Sequence, residues 1–95
     1  MKSIIQDDKK CFFCGTTRDL EEHHIFFGTA NRKLSEKDGL KVWLCREHHT
    51  GNSGVHHNKE RDLILKRYAE EIYLQYYEKT IEDFIKRYGK NYIGV

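Results

Sequence analysis

The sequence contains no proline at all, one tryptophan and one methionine. Without proline, nothing forbids long uninterrupted helices, and there is little reason to expect a stiff linker between separate units. A charge excess is missing too: 17 basic residues face 15 acidic ones, for a net charge of +2. Such a balance does not by itself advertise a nucleic-acid partner, so any surface for phosphates must come from uneven placement of the charges. No apolar run is long enough to span a bilayer, and the first residues carry no secretory h-region. This sets aside a membrane role. Cysteine is scarce and odd in number, at three. A closed disulfide framework would leave one thiol over, whereas reduced, metal-bound thiols would not, and these suit the cytoplasm.

What remains is one small domain of 95 residues, 38% hydrophobic and 34% charged. A chain of this length buries only about 60–65% of its unfolded surface, so a metal staple would help it hold together. There is no internal repeat and no low-complexity segment.

The metal-binding residue types are unevenly placed. All three cysteines and all six histidines fall between residues 11 and 57. They come as Cys11-Phe12-Phe13-Cys14, Glu22-His23-His24-Ile25, Leu44-Cys45-Arg46-Glu47-His48-His49 and Val55-His56-His57-Asn58. Two sites can be drawn from them. Cys11 and Cys14, thirty residues, then Cys45 and His48 form two ligand pairs of equal spacing. Each pair can supply two corners of the tetrahedron that zinc prefers. His49 competes with His48 for the fourth corner, and equal spacing favours His48. The bland alternative makes Cys11 and Cys14 small buried residues and Cys45 an ordinary strand residue. A redox role for Cys11 and Cys14 fits less well, because no helix follows the pair. The second site is the histidine cluster, whose imidazoles could hold a cation or move a proton near neutral pH. For any single histidine, a solvated loop residue is the simpler reading.

These residues resemble the HNH endonucleases, or ββα-metal nucleases, in the zinc-stapled branch where Cys-x-x-Cys precedes His-His-Ile and Leu-Cys-x-x-Cys/His-His follows. Small phage and prophage nucleases linked to recombination look particularly similar. The likeness covers residues 11–58; the remainder, 59–95, reads as a helical tail. It implies an α+β fold: a small ββα core with a structural zinc knuckle, followed by one long and one short helix. It implies a DNA endonuclease that hydrolyses phosphodiester bonds to a 5′ phosphate and a 3′ hydroxyl. In that likeness Cys11, Cys14, Cys45 and His48 hold the structural zinc. His23, His49 and His56 hold a catalytic divalent ion (Mg2+, Mn2+, Ni2+ or Zn2+), and His24 is the general base. His57 could replace His56. The chain departs from the family in two places. Six residues separate His49 from His56, two of them glycines, so His56 must return through a loop. No residue clearly fills the middle Asn position, for which Asp38, Asn52 and Asn58 are on offer. The competing reading is a non-catalytic zinc module that binds DNA or a protein partner. It needs only four ligands and leaves four histidines unexplained.

Coarse secondary structure follows from pattern. Leu20–Phe27 reads as a first strand and Leu40–Leu44 as a second, with a turn at Cys45–His49. Residues 28–39 read as a glycine-bounded polar loop with one helical turn near Ser35–Asp38, and residues 1–10 as a short extended piece or a loose lead-in. Asn58 caps a helix over Lys59–Glu78 whose apolar stripe is Leu65, Tyr68, Ala69, Ile72 and Tyr76. Thr80 with Asp83 opens a second helix that buries Ile81, Phe84, Ile85 and Tyr88 and stops at Gly89. Five basic residues against two acidic ones lie between residues 32 and 46. Of these, Arg32, Lys33, Lys41 and Arg46 are candidates for backbone- or structure-directed contact with DNA phosphates. A solvated polar loop explains them equally well. The tyrosines of the tail suit packing, or a homodimer surface, better than base stacking.

Overall fold

A computed structural model describes residues 1–94. Six elements follow one another: β1 Leu20–His24, α1 Thr29–Asp38, β2 Lys41–Cys45, α2 Arg46–His49, α3 Lys59–Tyr76 and α4 Ile81–Tyr88. The result is a small α+β domain with one two-stranded sheet and four helices among the described residues. Its radius of gyration of 12.8 Å matches the compactness of a folded chain of this length. Among the described residues no helix is long and apolar enough to cross a membrane.

The strands pair antiparallel, Leu20 opposite Cys45 and His24 opposite Lys41. Strand β1 stops three residues short of the expected Phe27. Ile25 still donates its N–H to the Leu40 carbonyl, at 3.0 Å. One residue on, a side chain takes over: Ser35 Oγ accepts from the Phe26 N–H and donates to the Phe26 carbonyl, at 3.1 and 2.8 Å. A strand partner is therefore unnecessary at Phe26. Its ring instead packs within 5.4 Å of Phe84, Tyr88 and Tyr92.

The stretch expected to be a loop with one helical turn is a ten-residue helix. Ala30, Arg32, Lys33, Leu34, Glu36 and Lys37 all favour helix, and their sum outweighs the polar character that reads as loop. Gly39 ends this helix in a left-handed conformation, φ 75°. A Cβ there would lie 2.6 Å from the Lys2 carbonyl oxygen. The N-terminal segment is thus seated, not loose. Ser3 Oγ donates to the Lys41 carbonyl, and Gln6 Oε1 accepts from the Trp43 N–H. Both contacts cover the free edge of β2.

Helix α3 starts as expected, with Asn58 Oδ1 accepting from the Arg61 N–H, but it ends at Tyr76. Its buried stripe is Leu65, Ala69 and Tyr73, joined by the carboxylate of Glu70. Tyr68 and Tyr76 from the expected stripe are exposed. The true stripe keeps to i, i+4, i+8, and a tyrosine can leave it because its hydroxyl is content in water. Helix α4 carries the reciprocal Thr80–Asp83 capping box and the Gly89 stop. It buries Phe84 and Tyr88 and leaves Ile85 exposed. Asp38 ties it to α1, accepting from Arg87 Nη2 and Nε at 2.8 and 2.6 Å and from the Tyr88 hydroxyl at 2.6 Å. A bidentate arginine pair and a phenol thus engage both oxygens of Asp38 in holding α4.

Candidate metal centres

Residues 11–16 form a tight knuckle in which Gly15, at φ 76°, lets its own N–H reach the Cys11 carbonyl at 2.8 Å. The Phe12 N–H reaches the Trp43 carbonyl at 2.9 Å, which fastens the knuckle beside the end of β2. Cys45 closes that strand, and α2 turns away from it at once, bringing His48 back. The outcome is a cluster of Cys11, Cys14 and Cys45 sulfurs with one His48 nitrogen. Cys14 Sγ lies 3.9 Å from Cys45 Sγ, and His48 Nδ1 lies 3.6 Å from Cys11 Sγ and 3.2 Å from Cys45 Sγ. A tetrahedral zinc with sulfurs at about 2.3 Å needs sulfur–sulfur edges of about 3.8 Å, so the donor set fits a metal such as zinc. All three thiols are free. Burial pushes the Cys11 thiol up, but backbone hydrogen bonds at Cys45, Cys14 and Phe13 outweigh it and bring the group down to about 6. Burial, with the Cys11 and Cys14 thiols alongside, pushes the Cys45 thiol up. An ion would supply the charge that lets this second thiol ionise.

Alternation along β1 sorts the neighbouring side chains by face. Glu21 and His23 share one face, Glu22 and His24 the other. On the first face His23 meets His49 from α2 and His56 from the loop, with ring centroids 5.1 and 5.3 Å away. The nitrogen ligands of these three lie within 4.8 Å of one another. His49 and His56 face each other through their Nε2 atoms at 3.2 Å. Imidazoles sharing a tetrahedral ion would stand about 3.3 Å apart at that edge. Glu21 Oε1 accepts from His49 Nδ1 at 2.8 Å, which leaves His49 Nε2 bare toward the centre. His23 is 3% exposed, and its Nε2 is buried without any partner. Burial, then the nearby His49 and His56, push its pKa down to about 3. A buried imidazole with an unpartnered nitrogen, standing beside two others, is arranged as a ligand would be.

The return of His56 depends on two glycines. The loop folds back over α2, with the Val55 N–H on the His48 carbonyl and the His56 N–H on the His49 carbonyl, at 2.9 and 3.3 Å. A Cβ on Gly54 would lie 2.6 Å from the His49 oxygen, and one on Gly51 would lie 2.7 Å from the Glu47 oxygen. Glu47 in turn staples the loop through Ser53. His57 does not join the trio.

His24 is set apart from the trio on the opposite face. Its Nε2 lies 2.8 Å from Glu36 Oε1. Glu22, His24 and Glu36 make a third ligand-type group. Lys41 Nζ already occupies it, 3.0 and 3.1 Å from the two Glu36 oxygens and 3.4 Å from Glu22. An ammonium among the carboxylates takes the place a cation would need. The His24, Lys41 and N-terminal amine contacts hold Glu36 down to about 2. Lys41 is itself buried, so this candidate phosphate contact is spent inside the fold. Arg32 and Lys33 line a cavity of about 700 Å³ with His24, Glu36 and Lys37, and both are exposed. Arg46 is exposed at the far end of the hairpin, near Arg18.

Sequence reasoning missed two acidic residues of these surroundings, Glu21 and Glu36. The alternating Glu21-x-His23 carries a legible signal, two side chains on one strand face. Nothing local announces Glu36. Compared with protein families, with curated proteins and with solved structures, this chain matches none.

Proposed function

We propose that the protein is a metal-dependent phosphodiester hydrolase acting on DNA, of the HNH type its residues resemble. In this reading a zinc held by Cys11, Cys14, Cys45 and His48 staples a ββα core. A second divalent cation is held by His23, His49 and His56. The observation that carries it is the orphaned, buried Nε2 of His23 between two further imidazoles. A zinc module without catalysis needs only the three thiols and His48. It has no use for that nitrogen, whose burial without a partner costs about 1–3 kcal/mol.

When bound, the cation would offset charge on the scissile phosphate and on the leaving 3′ oxygen. The chain's own contributions are distinct. Glu21 fixes the His49 tautomer. Gly51 and Gly54 let the loop present His56. Arg32 and Lys33 offer exposed positive charge for flanking phosphates. Three protein ligands leave a corner of a tetrahedron open to substrate, as hydrolytic sites require.

Supercoiled plasmid incubated with purified protein and Mg, Mn, Ni or Zn salts should be nicked with at least one of these ions. His23→Ala and His56→Ala proteins should nick about a hundredfold more slowly while retaining one zinc per chain. Absence of nicking by the zinc-loaded wild type with every ion, on supercoiled, single-stranded and branched DNA alike, would sink the nuclease reading.

A further inference from the structure

Helix α3 carries a second stripe besides the one it buries. Arg61, Ile64, Tyr68, Glu71 and Gln75 recur at steps of three, four, three and four residues, the spacing of a helix–helix seam. Ile64 is 50% exposed and Tyr68 43%, so two large apolar side chains stand in solvent one turn apart on one line. The buried stripe of Leu65, Ala69 and Tyr73 does not use them. The knuckle of residues 11–16 widens the patch. Its Phe12 ring lies 5.8 Å from Tyr68, and its Phe13 ring lies 5.3 Å from the Arg61 guanidinium. Single apolar residues on a surface need no explanation, but a contiguous group of them marks a contact. Two charges bracket the apolar pair: Arg61 three residues before Ile64, and Glu71 three residues after Tyr68. Neither has an ion-pair partner among the described residues.

We propose that this stripe joins two copies of the chain, α3 against α3, antiparallel about a two-fold axis. The order of the residues along the stripe names the partner. In a two-fold antiparallel pair, residues equally far before and after the axis lie opposite one another, and every contact is made twice. Around residue 66, Ile64 and Tyr68 are equidistant, and so are Arg61 and Glu71. Ile64 then meets the partner's Tyr68, and Arg61 meets the partner's Glu71. Apolar faces apolar at the centre, and opposite charges close both ends. A parallel pairing would set Arg61 against the partner's Arg61 and Glu71 against the partner's Glu71, like charge on like charge, and is disfavoured. Arg67 flanks the line near the axis, but its Nε is engaged within its own chain by the Tyr92 carbonyl, at 3.2 Å. From residue 61 to residue 71 the seam covers about 15 Å of helix, so the contact is small and the dimer reversible, forming at micromolar concentrations or above. None of the stripe residues belongs to a metal cluster. The pairing therefore stands or falls without the hydrolase reading.

Sedimentation velocity of the zinc-loaded full chain, from about 1 µM to 1 mM, tests the pairing without any substrate. One chain has a mass of 11.4 kDa, and wild type should move from that value toward twice it as concentration rises. Ile64→Asp puts a charge in the apolar centre and should stay monomeric throughout. Arg61→Glu and Glu71→Arg each set like charges against one another at both ends of the seam, and each should weaken dimerisation about tenfold. The double variant Arg61→Glu/Glu71→Arg makes the ends opposite again and should return to within about threefold of wild type. Glutamate suits the third position of a helix, so Arg61→Glu does not threaten the fold. Glu71→Arg leaves the Arg61–Phe13 contact in place. These charge variants keep the proposal testable even if Ile64→Asp folds poorly. Wild type that remains monomeric at the highest concentration would overturn the proposal. So would a dimer indifferent to Ile64→Asp, or a double variant no tighter than either single one. Growth beyond two copies would overturn it as well, because a two-fold contact closes on itself.

Discussion

The two clusters share α2, through the adjacent His48 and His49, and differ in almost every other physical respect. The thiol-rich set draws its donors from two short turns, each with two ligands three residues apart. Its donors are mostly thiols, which need a cation to be comfortable as thiolates. Four ligands close the tetrahedron and leave no corner for chemistry. The histidine trio draws its donors from a strand, a helix and a loop. Imidazoles bind in their uncharged form and can wait for an ion without Coulombic repulsion. Three ligands leave the sphere open, and His56 is exposed to solvent. Under the function proposed above, this contrast becomes a division of labour: a closed cluster for the fold and an open one for the reaction.

The sharpest way to break this comparison is to remove a thiol. Cys45→Ser should abolish cooperative unfolding of the zinc-loaded protein, since zinc binding at such a site is worth about 10 kcal/mol or more of folding free energy. Calorimetry with and without a zinc chelator checks it, and an unchanged melting transition in both would show that the thiol-rich set is no staple. A smaller effect is expected at Gly54. Gly54→Ala places a methyl against the His49 carbonyl. It should cost about 1–3 kcal/mol of stability, as overpacking does, and should weaken cobalt at the trio while leaving zinc in place. Equal loss of both metals would mean that the clusters are not independent.

The third effect is the response to acid. His23 has a folded pKa of about 3 against an ordinary 6.5. The unfolded state therefore binds more protons across that window, and stability is lost as pH falls from about 6.5 toward 3. Denaturant midpoints of zinc-loaded protein, measured without a second cation, should decline over this range. His23→Asn should flatten the decline; an identical slope in that variant would remove His23 as its cause.

Legibility from sequence follows the range of the interaction. The Cys11–Cys14 and Cys45–His48 pairs are readable because each is closed within one turn. The same holds for the Thr80–Asp83 box and the Asn58 cap. Helix α1 escapes notice because its polar composition hides good local helix propensity. The α3 stripe is misplaced because tyrosines pass for core residues in a pattern. The strand pleat announces that His23 and His24 diverge. It cannot announce that Glu36, twelve residues on, claims His24. Lys41 looks available for phosphate because its partners Glu22 and Glu36 converge on it only in three dimensions. The path of His56 is readable as a problem, with the glycines as a hint, but its solution requires knowing that the loop folds back onto α2.

The buried Glu70 has a consequence well away from its own position. Its Oε1 accepts from the Tyr92 N–H at 2.7 Å, and Arg67 Nε donates to the Tyr92 carbonyl at 3.2 Å. Two rungs of one helix thereby grip a single residue of the last segment by its backbone. The ring so held lies 5.4 Å beneath the Lys66 ammonium. Lys66 holds Asp62, and Asp62 borders the imidazoles. Tyr92 therefore works as a doorstop, a further restraint on a lysine already held by Asp62 and Phe27. Mechanical load on Tyr92 would pass through Lys66 and Asp62 before reaching a histidine.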